Sequence, residues 1–126
     1  MIKTILLAAG QSRRLKSENK LIKLYKKKPL INYSLKTLHK SKVDKVVIVL
    51  GHQKNELKKI IKKNKKNIFI FNKDYRKGMA SSIKAGLKKV SKSDKGFIIV
   101  QSDMPFIKLS ELNKIYNSIK SQKFLV

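Results

Sequence analysis

The chain has 126 residues, enough for one domain with a core of its own, and 41% of them are hydrophobic. There is no Cys, which excludes disulfides, thiolate metal sites and Cys nucleophiles, and fits a reducing compartment such as the cytoplasm. The 32 Lys+Arg against 7 Asp+Glu leave a formal charge of +25. A charge of that size raises the question of a polyanionic partner. The basic residues run from Lys3 to Lys123 with no basic tail, however, and Lys far exceeds Arg, so the reading adopted is a solvated lysine surface with no specific nucleic-acid partner. The longest apolar runs, residues 5–9 and 46–50, are strand-sized and well short of the ~18 residues of a membrane span. No membrane partner and no export signal are expected.

Taken in chain order, short apolar runs alternate with amphipathic ones. Residues 2–8 read as a buried strand. Residues 30–40 place Ile31, Leu35 and Leu38 at helical spacing behind Pro29, a residue suited to a first helical turn. Residues 46–50 form the second strand, and a helix over about 55–65 carries Leu57, Ile60 and Ile61 on one face. The third strand is 68–71. A helix over 80–90 follows, with Ile83, Leu87 and Val90 in line, then a strand over 97–100. The last helix, from Ser110, aligns Leu112, Ile115, Tyr116 and Ile119, and residues 124–126 read as the opening of a fifth strand. Strands buried on both faces and alternating with helices predict parallel pairing and right-handed crossovers, hence a three-layer α/β/α fold with a mostly parallel sheet.

In such sheets ligands gather beyond the carboxyl ends of the strands. After the first strand comes Ala9-Gly10-Gln11-Ser12-Arg13-Arg14, after the second Gly51-His52-Gln53, and after the fourth Gln101-Ser102-Asp103-Met104-Pro105. The first turn has neither the GxGxxG nor the GxxxxGK[ST] spacing, which removes the main support for a dinucleotide fold or a P-loop. Its small strand end, Ala8-Ala9-Gly10, lets a ligand approach bare backbone N–H groups, and Ser12, Arg14 and Lys20 follow. That combination suits a triphosphate, and an ordinary tight turn is the competing reading. Asp103, directly after the fourth strand, is positioned either to anchor Mg²⁺ or to cap and stabilise a loop. His52 is an acid, base or phosphate donor, or else a hydrogen-bonded structural residue. Ser81 and Ser82 open the helix at Gly78 and serve either as caps or as contacts to a base or ribose. Asn72-Lys73-Asp74-Tyr75 reads as turn chemistry.

Together these residues resemble a known family. Leu7-Ala8-Ala9-Gly10-Gln11-Ser12-Arg13-Arg14-Leu15 with Asn19-Lys20-Leu21 is similar to the N-terminal signature of the MobA-like nucleotidyltransferases, in particular their molybdenum cofactor cytidylyltransferase branch. Gly51-His52-Gln53 with Glu56, the stretch Asn72 to Leu87 containing Asp74-Tyr75 and Gly78-Met79-Ala80-Ser81-Ser82-Ile83-Lys84-Ala85-Gly86-Leu87, and Asp103-Met104-Pro105 follow in the order and at about the spacing that branch shows. The resemblance implies a nucleotide-diphospho-sugar transferase-like fold over residues 1–126. It implies CTP as nucleotide, because guanylyltransferases of the family carry a second glycine where this chain has Ala9.

By the same resemblance, Leu7, Ala8, Ala9 and Gly10 would line the nucleotide, with backbone contacts at residues 8–10. Ser12 would lie beside it, Arg14 and Lys20 would hold the phosphates, Ser82 would lie near base or ribose, and Asp103 would bind Mg²⁺. Arg14, Lys20 and Asp103 are thus the expected catalytic residues. The implied reaction is attack by the phosphate of molybdopterin cofactor on the α-phosphorus of CTP, with release of pyrophosphate, and the implied partner is a molybdenum hydroxylase apoenzyme. A sugar or polyol phosphate acceptor, a scaffold that binds nucleotide without transfer, and a polyanion-binding module are the alternatives.

Three departures accompany the likeness. Lys16 stands where the family has Gly, Ser102 replaces a common Gly and is expected to crowd the metal, and the family's later glycine-asparagine-proline segment and second acidic ligand have no counterpart. The expectation is therefore a domain truncated at its C-terminus, holding roughly the N-terminal two thirds.

Overall fold

A computed structural model of the chain describes residues 1–10, 24–25, 28–102 and 107–121. Four strands form a wholly parallel sheet: β1 (Ile2–Ala8), β4 (Lys45–Leu50), β5 (Asn67–Phe71) and β6 (Gly96–Gln101), in the spatial order β5-β4-β1-β6. A two-residue antiparallel pair, β2 (Leu24–Tyr25) with β3 (Lys28–Pro29), stands apart from it. The helices are α1 (Leu30–Lys40), α2 (Lys54–Ile60), α3 (Met79–Leu87) and α4 (Leu109–Ser121). The predicted three-layer α/β/α architecture is the observed one.

The layers follow from the two-residue period of the strands. Ile2, Leu6 and Ala8 of β1 share one face with Val46, Ile48 and Leu50 of β4 and with Ile98 and Val100 of β6. Against them pack Ile31, Leu35 and Leu38 of α1, Leu57 of α2 and Leu112 of α4, and this is the main core. The opposite face carries Ile5, Val47 and Val49, with Ala85 of α3 among them and Ile68 and Ile70 of β5 alongside. Beyond the reach of α3, Phe97 and Ile99 of β6 are each 41% exposed.

Both core-facing sets in β4 are apolar, which is why residues 46–50 read as a continuous hydrophobic run. One polar residue breaks the pattern in β1. Thr4 is fully buried, beside Val46 and Ile98, and among the described residues its Oγ1 has no hydrogen-bond partner.

Element ends differ from the sequence expectation for local reasons. The second helix was expected over 55–65 and stops at Ile60. Asn32 of α1 takes over there, donating to the Ile60 carbonyl (2.8 Å) and accepting from the Lys62 amide (3.4 Å). Asn64 then turns the chain, accepting the Lys66 amide on its side chain at 2.9 Å and the Asn67 amide on its carbonyl at 3.1 Å. α3 was expected to reach residue 90 and ends at Leu87, because the amides of Lys88, Lys89 and Val90 each bond three residues back, tightening the last turn. The fifth strand expected at 124–126 lies outside the described residues.

The amino ends of the strands are tied down by acids. Asp44 accepts the Ile2 amide at 2.7 Å, and its own amide donates to the Ile2 carbonyl. Asp94 takes the Lys3 ammonium at 2.9 Å and the N-terminal ammonium at 3.6 Å, and accepts the Ser91 amide at 2.8 Å. These contacts hold its carboxyl below the ordinary Asp value, the Ser91 amide contributing most and Lys3 next, with burial opposing. Four of the chain's sparse carboxylate contacts are thus spent at the end of the sheet remote from any ligand edge.

Candidate functional site

The sheet order places β1 between β4, the next long strand in sequence, and β6, which is added on the other side. The crevice between β1 and β6 is therefore the topological switch point, the position where open α/β sheets bind ligands. Register brings the carboxyl ends level: Ala8 pairs with Leu50, Leu7 with Gln101, and Leu50 with Phe71. Ala8-Ala9-Gly10, Gly51-His52-Gln53, Asn72 and Ser102 consequently lie along one edge.

At the switch point, Ser102 binds back onto β1. Its amide donates to the Leu7 carbonyl at 3.2 Å and its hydroxyl to the same oxygen at 2.6 Å. Ser34, buried on α1, donates its hydroxyl to the Ser102 carbonyl at 3.3 Å. Ser102 was expected to crowd a metal held by Asp103, a residue that lies outside the described ones. The Ser102 side chain is buried and engaged with Leu7, which ties the end of β6 to β1.

On the other side of β1, the Ala9 carbonyl accepts the His52 amide at 3.2 Å. Ala8 and Ala9 are buried, whereas Gly10 is exposed, and a Cβ there would meet nothing within 4 Å among the described residues. Gly51 is required by close approach. A Cβ there would lie 2.5 Å from Tyr75 Cβ, 2.7 Å from Tyr75 Cγ and 2.9 Å from Ala9 Cβ. The Tyr75 ring thus settles against the end of β4, tilted 45° to the His52 ring with centroids 6.1 Å apart. Gln53, in the left-handed region at φ 55°, starts α2, and its buried Oε1 has no partner among the described residues. For His52 the backbone bond to Ala9 is the contact that ties it to the site.

The third part of the edge is a hydrogen-bonded knot centred on Asn72. Its amide donates to the Leu50 carbonyl at 2.7 Å, extending the strand ladder by one bond. Its Oδ1 accepts the Asp74 amide at 3.0 Å, an Asx turn, and its Nδ2 donates to Ser81 Oγ at 2.9 Å and Ser82 Oγ at 3.0 Å. A short 3₁₀ turn, Tyr75–Lys77, leads to Gly78 at φ 105°, ψ −175°, a conformation essentially reserved for glycine. The Ser81 hydroxyl lies 2.7 Å from the Gly78 carbonyl and 3.0 Å from that of Asp74, locking the start of α3. Ser82 is buried.

Among the predicted site residues, Leu7, Ala8, Ala9, Gly10 and Ser82 are therefore placed on elements that meet the carboxyl edge. Ser12, Arg14, Lys20 and Asp103 lie outside the described residues. Asn72 was read as turn chemistry at the start of the family-like stretch, with no site role of its own. The Asx turn was legible in Asn72-Lys73-Asp74, whereas the reach of its carboxamide to residues nine and ten positions ahead depends on α3 folding back over β5.

Among the described residues no three His, Asp or Glu side chains gather as a metal site, and no helix is long and apolar enough to cross a membrane. His39 is remote from this edge. It is half-buried, 2.6 Å from Asn67 Oδ1, and its pKa lies below the ordinary value chiefly because burial disfavours the imidazolium, with Lys66 and Lys62 adding repulsion against the opposing Asn67 bond. Lysine crowding is felt at Lys28 also, whose pKa is lowered by burial first and then by Lys36, Lys62 and Lys40.

A parallel sheet with its switch point at a small-residue strand end, faced by a serine-opened helix, is an α/β domain of the kind that takes its ligands at the carboxyl edge. The chain belongs to the MobA-like NTP transferase domain family, whose model matches residues 4–126. Curated relatives include 2-C-methyl-D-erythritol 4-phosphate cytidylyltransferase of Lachnoclostridium phytofermentans, 30% identical over 97% of this chain and 53% of that protein. The bifunctional protein GlmU of Caldicellulosiruptor saccharolyticus is 27% identical over 94% of this chain and 26% of that protein. Among solved structures, a nucleotidyl transferase from Methanothermobacter thermautotroptrophicus superposes with a TM-score of 0.81 at 19% identity, covering 93% of this chain and 57% of that one. Rv0371c of Mycobacterium tuberculosis, solved as a complex with manganese, superposes with a TM-score of 0.73 at 17% identity over 92% of this chain and 58% of its own. The chain thus spans between about a quarter and three fifths of the length of these proteins.

Proposed function

We propose that this domain serves nucleotidyl transfer from CTP to a phosphorylated acceptor, with the phosphate of molybdopterin cofactor as that acceptor and a molybdenum hydroxylase apoenzyme as recipient of the product. The observation that carries the reading is the convergence of Ala8-Ala9-Gly10, the Ser102 strand end and the serine-opened α3 on one carboxyl edge in a chain of this family. Arg14 and Lys20 follow the first strand in sequence and are assigned to the triphosphate. An acceptor phosphate oxygen attacks the α-phosphorus, the bond to the bridging oxygen breaks, and pyrophosphate leaves with the negative charge. No protein nucleophile is needed, since such transfer depends on positioning and on neutralising developing charge.

Magnesium suits a site with one or two protein carboxylates, because phosphate oxygens and waters complete its octahedron. Asp103, directly after the anchored Ser102, is the residue assigned to it, and the ion's chemistry there would be neutralisation of triphosphate charge.

A second acceptor is favoured by one specific finding. The relative at 30% identity is named for cytidylyl transfer to 2-C-methyl-D-erythritol 4-phosphate, which makes a polyol phosphate the next candidate. Isothermal titration with CTP and Mg²⁺, followed by pyrophosphate release with a panel of phosphorylated acceptors, tests both readings. CTP binding that weakens in Arg14→Ala and Lys20→Ala supports the shared part. Absence of CTP binding, or binding indifferent to both substitutions, refutes it. The acceptor that releases pyrophosphate decides between the two.

A further inference from the structure

Resting on the reading of Ser82 as a nucleotide contact, we infer that Asn72 is a positioning and specificity-determining residue that fixes Ser82 as a hydrogen-bond donor to an acceptor atom of the nucleoside. A hydroxyl both gives and receives, so its role is set by its neighbours. Asn72 Oδ1 is committed to the Asp74 amide, which orients the carboxamide and leaves Nδ2, a donor only, facing both serines. Ser81 uses its proton on a backbone carbonyl, of Gly78 or of Asp74. Ser82 receives the other Nδ2 bond, and among the described residues its own proton has no acceptor. Ser82 is only 5% exposed, so that proton is costly to leave unused. The chemistry it fits is a neutral acceptor: a pyrimidine carbonyl or ring nitrogen, or a ribose oxygen.

Reversing the polarity at Asn72 tests the assignment. Asn72→Asp keeps the shape and the Asx turn, but its carboxylate accepts from Ser82, which then presents lone pairs to the ligand. Titration with CTP is expected to show affinity lowered about 3- to 10-fold in Asn72→Asp and in Ser82→Ala alike, the loss of one hydrogen bond. The double variant should lose no more than either single one. 2-Thio-CTP and 2′-deoxy-CTP distinguish the acceptor: the analogue whose weaker binding is insensitive to Ser82→Ala marks the atom involved.

Asn72→Asp with unchanged CTP affinity overturns the inference. So does a further loss on adding Asn72→Asp to Ser82→Ala, which assigns the effect to carboxylate charge. If the wild type binds no CTP, the proposed function fails, and the local claim is still decided in the unliganded protein by NMR. Slow exchange of the Asn72 carboxamide protons, accelerated in Ser82→Ala, supports it. Exchange as fast as that of a free Asn side chain refutes it.

Discussion

Substituting Gly51 by Ala probes how the edge of the sheet is assembled. The added methyl would meet Tyr75 Cβ at 2.5 Å, Tyr75 Cγ at 2.7 Å and Ala9 Cβ at 2.9 Å, against about 3.5–4.0 Å for an unstrained carbon contact. None of these is the far end of a flexible side chain. Two are Cβ atoms fixed to the backbone, so no rotamer change relieves them and the segment bearing Tyr75 has to move by about 1 Å. Overpacking of this kind costs about 1–3 kcal/mol, and we expect Gly51→Ala to destabilise the domain by about 2 kcal/mol in urea titrations monitored by circular dichroism. Because Tyr75 follows directly from the Asn72 knot, CTP affinity of the folded variant should fall as well. Replacing Tyr75 by Gly removes two of the three clashes, so Gly51→Ala should cost less in a Tyr75→Gly background than in the wild type. Strictly additive costs, or a Gly51→Ala protein as stable as the wild type, would refute the close-packing argument.

The remaining predictions concern strain, an unpaired hydroxyl and pH. Gly78→Ala meets open space yet must adopt φ 105°, so it should destabilise by about 1–3 kcal/mol through backbone strain alone; equal stability by thermal denaturation would contradict this. Thr4→Val exchanges a buried hydroxyl with no partner among the described residues for a methyl, and is expected to be neutral or to stabilise by about 1 kcal/mol; a net loss of stability would mean the hydroxyl has a partner. Asp94 titrates below the ordinary value of 3.8 in the folded protein, so its contribution is complete above that pH and is lost as pH falls through the lower native value. Asp94→Asn should therefore be less stable near neutrality and show a shallower acid limb below about pH 4, measured as urea midpoint against pH. An unchanged acid limb would contradict the assignment.

How much of this was legible beforehand follows from the range of the interactions involved. The strands and helix faces were, because a run such as residues 46–50 can be buried only between two layers, and the spacing of Ile31, Leu35 and Leu38 allows a single core-facing stripe. The carboxyl edge followed from β/α alternation. Helix ends were less legible, since α2 is closed by Asn32, which lies 28 residues before the carbonyl it caps. The Ser102 anchor was not legible for the same reason: its partner, Leu7, lies 95 residues away and is brought alongside by parallel pairing. Asn72 looked complete as a turn residue because its local bond to Asp74 is real, and only the return of α3 engages the other half of its carboxamide.

The uncovered side of β6 has a colloidal consequence. Among the described residues β6 lies at the sheet margin with Phe97 and Ile99 each 41% exposed, and a strand margin of that sort is prone to sticking to its own kind. Mutual repulsion between molecules bearing +25 holds such margins apart in dilute buffer. Raising ionic strength to about 1 M shortens the range of that repulsion to about 3 Å, so turbidity should grow with added salt, the reverse of the salting-in of a protein near zero net charge, whose mutual electrostatic attraction salt screens.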